Sequence, residues 1–178
     1  LVLFPAKKYV IKAFGEKIVH KTDLGAIKKN VDKAGVELEM RRMRNRLISA
    51  GIRPEGFIIQ EQAEKGIEVI IGGKRDPQFG DVVLFGMGGV YVELYRDFSV
   101  RLCPLSTGDA LEMIEETRAG RLLDGFRGSP KISKEMVAGI MKKVCTALHR
   151  DASIREIDLN PVILYPNSYC AVDVRVIR

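Results

Sequence analysis

The closing stretch of the chain constrains it most. Ile154 to Val176, IREIDLNPVILYPNSYCAVDVRV, alternates apolar and polar residues on either side of Pro166-Asn167-Ser168. That is the pattern of two half-buried strands joined by a tight turn. A turn of even length, two or four residues, sets Asn160 opposite Arg175. Ile157, Leu159 and Ile163 then share one face with Val172, Val174 and Val176, because successive side chains of a strand point to opposite sides. The other face carries Glu156, Asp158, Asn160, Asp173 and Arg175. In that register Asn160 and Asp173 are diagonal neighbours with Cβ atoms roughly 7 Å apart. Their oxygens are then close enough to share one hard cation such as magnesium. A turn of odd length sends Asp173 to the apolar side, and a plain solvated face is the commoner use of such a pattern. Crowding favours a site: carboxylates this close repel one another unless a cation lies among them.

The chain has 178 residues, enough for one large domain or two small ones. With 46% hydrophobic and 29% charged residues it has the balance of a folded protein. No apolar run reaches the ~18 residues needed to cross a bilayer, and no signal-peptide pattern is present, so no membrane partner is expected. Cys103, Cys145 and Cys170 are odd in number and contain no CxxC pair, which argues against both a disulfide framework and a zinc site. A reducing, cytoplasmic location follows as the expectation. The net charge of +6 admits an anionic partner. With few aromatics and no Trp to stack bases, a nucleotide or other phosphorylated small ligand fits better than nucleic acid.

Taken in order, Tyr9 to Ala13 reads as a short buried strand with Lys12 at its exit, where an ammonium can serve as a point charge on phosphate or simply reach water. Ile18 to Lys28, IVHKTDLGAIK, brings His20, Lys21, Thr22 and Gly25 into one loop suited to close approach of phosphate. A lone histidine is usually an ordinary surface or packed residue; the sharper reading is a nucleophile that carries a phosphoryl group. Val36, Met40, Met43 and Leu47 fall at helical spacing, with Gly51 and Pro54 as stop signals. Phe57–Gln60, Ile67–Ile71, Val82–Phe85 and Val90–Leu94 read as strands, with the charged loop Lys74 to Asp81 between the second and third. Gly86-Met87-Gly88-Gly89 leads into a strand rather than a helix, so it is neither a Rossmann fingerprint nor a P-loop. Ser106 and Asp109 resemble a capping box for a helix running to Ala119 and closed by Gly120. A second helix begins near Ser133. Strands, two helices and strands again describe an α+β fold, a mostly antiparallel sheet packed with helices.

Several of these pieces together resemble one family. YVIK, VHKTDLGA, IIQEQAEKGIEVIIGGKRDPQFGDVVLFGMGGVYVE, FSVRLCPLS and EIDLNPVILY with VDVRV are similar to the ATP-grasp β component of ADP-forming acyl-CoA synthetases, relatives of succinyl-CoA synthetase β subunits. The resemblance runs from about Tyr9 to Arg175. It implies an ATP-grasp domain over residues 1–178, incomplete at its N-terminus, with a remnant of the N-terminal subdomain at 1–55 and the C-terminal subdomain at 56–178. It also implies a reversible relay in which acyl-CoA, ADP and phosphate become acid, CoA and ATP through a phosphohistidine. On that resemblance His20 and Asp158 are catalytic, the first carrying the phosphoryl group and the second orienting a phosphohistidine. Lys12, Glu61 and Glu68 bind nucleotide, and Asn160 and Asp173 hold magnesium. The cofactors are then Mg2+ and ATP/ADP, and the partner is a CoA-binding α subunit or fused domain. Ala26 departs from the family pattern, which has a glycine there. A non-catalytic nucleotide-binding module, or a basic nucleic-acid-binding domain, are the alternatives.

Overall fold

A computed structural model of the chain describes residues 5–18, 24–89 and 97–178. It divides into two compact units, Leu1–Glu64 and Lys65–Arg178.

The first unit is a three-stranded antiparallel sheet in the order β2-β1-β3, with one helix. β1 is Tyr9–Phe14, β2 Ile27–Val31, α1 Val36–Ser49 and β3 Gly56–Glu61. Helix α1 buries Val36, Met43 and Leu47 in one cluster with Tyr9, Ile11 and Ala13. Gly51, at φ +76°, turns the chain out of the helix in a conformation that other residues adopt at a cost. β3 pairs with β1 without a break from Tyr9↔Glu61 to Phe14↔Gly56. Residues 56–61 therefore join the first unit, and the passage between units falls after Glu64 rather than after residue 55. β2 has a largely exposed pattern, so Ile27–Val31 carried no apolar periodicity to announce it.

In the second unit an antiparallel sheet runs β6-β5-β4-β7-β8, and a further strand, β9, also pairs with β7. β4 is Ile67–Asp76, β5 Gly80–Met87, β6 Phe98–Leu102, β7 Glu156–Leu164, β8 Tyr169–Ala171 and β9 Val174–Ile177. The helices α2 (Thr107–Glu115), α3 (Arg118–Leu123) and α4 (Lys134–Arg150) pack on one face. There Val69, Ile71, Val83 and Phe85 of the sheet meet Met113, Ile114, Met141 and Leu148 of the helices. The antiparallel α+β reading holds. The expected strand Val90–Leu94 lies outside the described residues.

Three local expectations need correction. The charged stretch Lys74 to Asp81 is mostly strand: β4 and β5 continue through it and turn only at Asp76–Gly80, where the Asp76 carboxylate accepts the N–H groups of Gln78 and Phe79. The helix from Ser106 is two helices. Its capping box forms as expected, Asp109 N–H donating to the Ser106 hydroxyl, but the chain restarts at Thr117, whose hydroxyl accepts the Gly120 N–H. Gly120 sits inside α3 so close to the Ile114 carbonyl that a side chain has no room. Finally, Cys103 and Cys145 form a disulfide that ties the end of β6 to α4. Counting cysteines without CxxC spacing missed it because the two residues are 42 apart in sequence and meet only through sheet-on-helix packing.

Candidate active site

β7 and its return strand form the hairpin expected from alternation, in a register two residues from the expected one. The turn has two residues, Pro166 and Asn167, and Tyr165 N–H donates to the Ser168 carbonyl at 2.9 Å. Val162 faces Ala171, Leu159 faces Val174 and Asp158 faces Arg175. Asn160 therefore faces Asp173 directly, its N–H donating to the Asp173 carbonyl at 3.1 Å, whereas Arg175 belongs to Asp158. Residues that face each other across strands share a face of the sheet. The even-numbered turn keeps Asp173 beside Asn160, and the true register brings the two closer than the diagonal placement would.

The apolar face differs more. Between Leu159 and Val162, β7 slips by one residue against β4, at Pro161, which has no N–H for the ladder. The slip hands the core positions to Val162 and Leu164, so Ile163 does not join the cluster that holds Ile157. Val174 and Val176 are 55% and 48% exposed, because their strand lies at the sheet edge.

The face that carries Asn160 and Asp173 gains a third element that the sequence did not place. Gly89 N–H donates to the Asn160 side-chain oxygen at 3.0 Å, and Gly88 N–H to the Glu68 carbonyl at 3.0 Å. Gly89 has φ +69°, and a side chain there would collide with the Glu68 carboxylate. The glycine turn after β5 thus brings Asn160 and Glu68 to one end of the sheet and fixes the Asn160 amide so that its oxygen points at a backbone donor. GMGG was the signal available in the sequence, but its partner is 71 residues away.

Asp158 stands next along this face. Burial pushes its carboxyl pKa up, the nearby carboxylates of Glu156 and Asp173 push it further, and Arg175 opposes them. A carboxyl in this setting is poised to take a hydrogen-bond donor or cation from outside. Among the described residues no group of three or more His, Cys, Asp and Glu side chains could hold a metal ion. One carboxylate and one amide oxygen, those of Asp173 and Asn160, are instead the oxygen types that a hard cation such as magnesium takes, with water or phosphate oxygens completing its shell.

In the first unit Lys12 lies within β1, not at its exit, opposite Ile27 and Ile58. It is only 5% exposed, on the sheet face away from α1. A buried ammonium requires polar or anionic company. Glu61 is the exposed last residue of β3. His20 lies outside the described residues. At the far end of β4 and β7 a depression is lined by Lys74, Arg75, Pro77, Arg155, Glu156 and Ile177. One of its two arginines is already engaged, Arg75 donating to the Leu148 carbonyl and pairing with Asp81.

The model of the ATP-grasp domain family matches residues 5–177, and the chain belongs to that family. Its relatives are more specific. The β subunit of ADP-forming acetate–CoA ligase I from Pyrococcus furiosus is 40% identical over 174 residues, which cover 94% of this chain and 74% of that protein. ADP-forming acetate–CoA ligase I of Archaeoglobus fulgidus is 38% identical over 173 residues, covering 94% of this chain and 25% of that protein. Among solved structures, dinucleotide forming acetyl-coenzyme A synthetase 1 from Ca. Korarchaeum cryptofilum, in complex with coenzyme A and Mg-AMPPCP, superposes with a TM-score of 0.81 at 40% identity. The superposition covers 98% of this chain and 76% of that one. The chain is accordingly a member of the ADP-forming acetate–CoA ligase β-subunit family, spanning about a quarter of the Archaeoglobus relative and three quarters of the separate β subunit.

Proposed function

We propose that this chain is the nucleotide-handling component of an ADP-forming acyl-CoA synthetase, passing a phosphoryl group between ATP and a histidine. The observation that carries the proposal is the direct pairing of Asn160 with Asp173, with the Asn160 oxygen held by Gly89. Asn160 and Asp173 would hold magnesium. The ion, when bound, neutralises the charge of the nucleotide phosphates. Lys12 contributes a second positive charge to the phosphates, and Glu61 and Glu68 contact the nucleotide. His20 is the acceptor: its neutral imidazole attacks the terminal phosphorus, the bond to the ADP oxygen breaks, and a phosphorus–nitrogen bond forms. Asp158 orients an incoming phosphohistidine, because a hydrogen bond at one ring nitrogen decides which nitrogen is free to react. Run backwards, the same steps make ATP from phosphohistidine and ADP.

The solved Korarchaeum structure is a complex with coenzyme A and Mg-AMPPCP, with its phosphohistidine segment pointing towards the nucleotide binding site. That supports both the relay and the cofactors Mg2+ and ATP/ADP. Since single-chain relatives are about four times longer, a CoA-binding α subunit or fused domain supplies acyl phosphate formation. No helix among the described residues is long and apolar enough to cross a membrane.

The test is phosphorylation. The chain with its partner, given γ-labelled ATP and magnesium, should acquire acid-labile, base-stable phosphate that a His20→Asn variant lacks. Equal labelling of that variant would remove His20 from the mechanism. Magnesium-dependent ATP binding without any phosphoprotein would leave a non-catalytic nucleotide-binding module.

A further inference from the structure

The face that carries Asn160 and Asp173 also holds a cation to which the fold gives no partner. Arg175 lies two residues beyond Asp173 on β9, directly opposite Asp158. Its neighbours Val174 and Val176 pair with Leu159 and Ile157, and Ile157 belongs to the core against the helices. Arg175 therefore projects from the other face, with Asp158, Asn160 and Asp173. Lys74, also on that face, stands further away, opposite Glu156. Opposite charges that face each other across antiparallel strands stabilise a sheet by pairing. Arg175 and Asp158 do not pair: the exposed guanidinium makes no ion pair or hydrogen bond among the described residues. Its N–H donors are left for something from outside.

We infer that Arg175 binds the terminal phosphate of the magnesium-bound nucleotide, its guanidinium taking two phosphate oxygens side by side. The inference rests on the function proposed above in one respect, that Asn160 and Asp173 hold the magnesium. An ion bound there bridges the two outer phosphates and so keeps the terminal one near Asp173. Two residues of strand span about 7 Å, a distance that the long side chain of arginine covers. Guanidinium is planar and always charged, and its fork of N–H donors matches phosphate oxygens two at a time. The place opposite Asp158 has its own use. The carboxylates of Asp158 and Glu156 repel an approaching phosphate, and a cation on the same face offsets that repulsion.

Arg175→Met and Arg175→Lys are to be compared with wild type, each assembled with the partner subunit or domain. Calorimetric titrations use Mg-AMPPCP and Mg-ADP, the second of which lacks the terminal phosphate. Arg175→Met should bind Mg-AMPPCP about 10- to 100-fold more weakly, the value of a charge-assisted hydrogen bond. It should bind Mg-ADP as wild type does. Arg175→Lys should recover part of the lost affinity, since an ammonium keeps the charge without the fork. Melting temperatures without nucleotide should stay at the wild-type value, as fits an exposed side chain with no partner in the fold. Wild-type affinity for Mg-AMPPCP in Arg175→Met overturns the inference and leaves the arginine a charge that guards an edge strand. Equal weakening toward both nucleotides overturns it too, because the contact is then not to the terminal phosphate. So does a lower melting temperature, which would make Arg175 a structural partner of Asp158. A wild-type enzyme that shows the expected binding pattern yet forms no phosphoprotein defeats the proposed relay and leaves this role of Arg175 standing.

Discussion

Asn160 and Asp173 face each other across β7 and its return strand, joined by a backbone hydrogen bond of 3.1 Å, and Gly89 holds the amide oxygen of Asn160 at 3.0 Å. A two-residue turn and a glycine with φ +69° are enough to bring about this arrangement, although Gly89 lies 71 residues from Asn160 in the chain. Its consequences are measurable.

Removing the Asp173 carboxylate should leave the hairpin intact, since the cross-strand bond uses the backbone. Asp173→Ala is expected to lower magnesium-dependent ATP affinity about 10- to 100-fold, a loss seen even for groups one shell removed from a metal. Titration calorimetry at two magnesium concentrations checks this; affinity that stays high and magnesium-dependent would take Asp173 out of the site.

Lys12 is buried in the first unit, so alanine would leave a cavity as well as remove a charge. Lys12→Met keeps most of the volume. It should fold, with its far-ultraviolet circular dichroism unchanged, and bind ATP on the order of 10- to 100-fold more weakly, the value of a charge-assisted hydrogen bond.

The Cys103–Cys145 disulfide closes a loop of 42 residues. Loop-closure entropy assigns it up to about 4 kcal/mol. Calorimetry with and without a thiol reductant should show a lower melting temperature on reduction. Cys103→Ser should match the reduced wild type and be insensitive to the reductant.

Glu116 has its pKa lowered, first by the Arg101 guanidinium that donates to it and then by the Ser99 hydroxyl. A lowered carboxylate pKa means that the unfolded chain binds protons more readily, so this contribution is present above the ordinary glutamate value of 4.5 and is lost as pH falls through the lower folded value. Glu116→Gln should therefore melt below wild type at pH 7, and the gap should close on acidification. The effect is small, as the group is exposed.

Much of this was legible from residue order because it is local. The spacing of Val36, Met43 and Leu47 placed a helix, and the box at Ser106 and Asp109 started another. Alternation along Ile157 to Leu159 marked a strand whose other face is acidic. The even turn that keeps Asn160 and Asp173 on one face also follows from side chains alternating along a strand. Less legible were the features without a periodic signature. Ile27–Val31 is an edge strand too polar to stand out. Thr117 interrupts what looks like one helix, because its hydroxyl caps a new one.

The chain's own pattern determined which residue types lie on which face, since the period of a strand or helix is a property of the backbone alone. Distance remained for the tertiary structure to decide. Packing of sheet on helices joined Cys103 to Cys145, the slip of β7 at Pro161 put Val162 rather than Ile163 into the cluster against the helices, and the fold of β5 brought Gly89 to Asn160. Each of these joins residues distant in sequence or depends on the exact ladder between strands, and neither loop closure nor ladder register is written in local order.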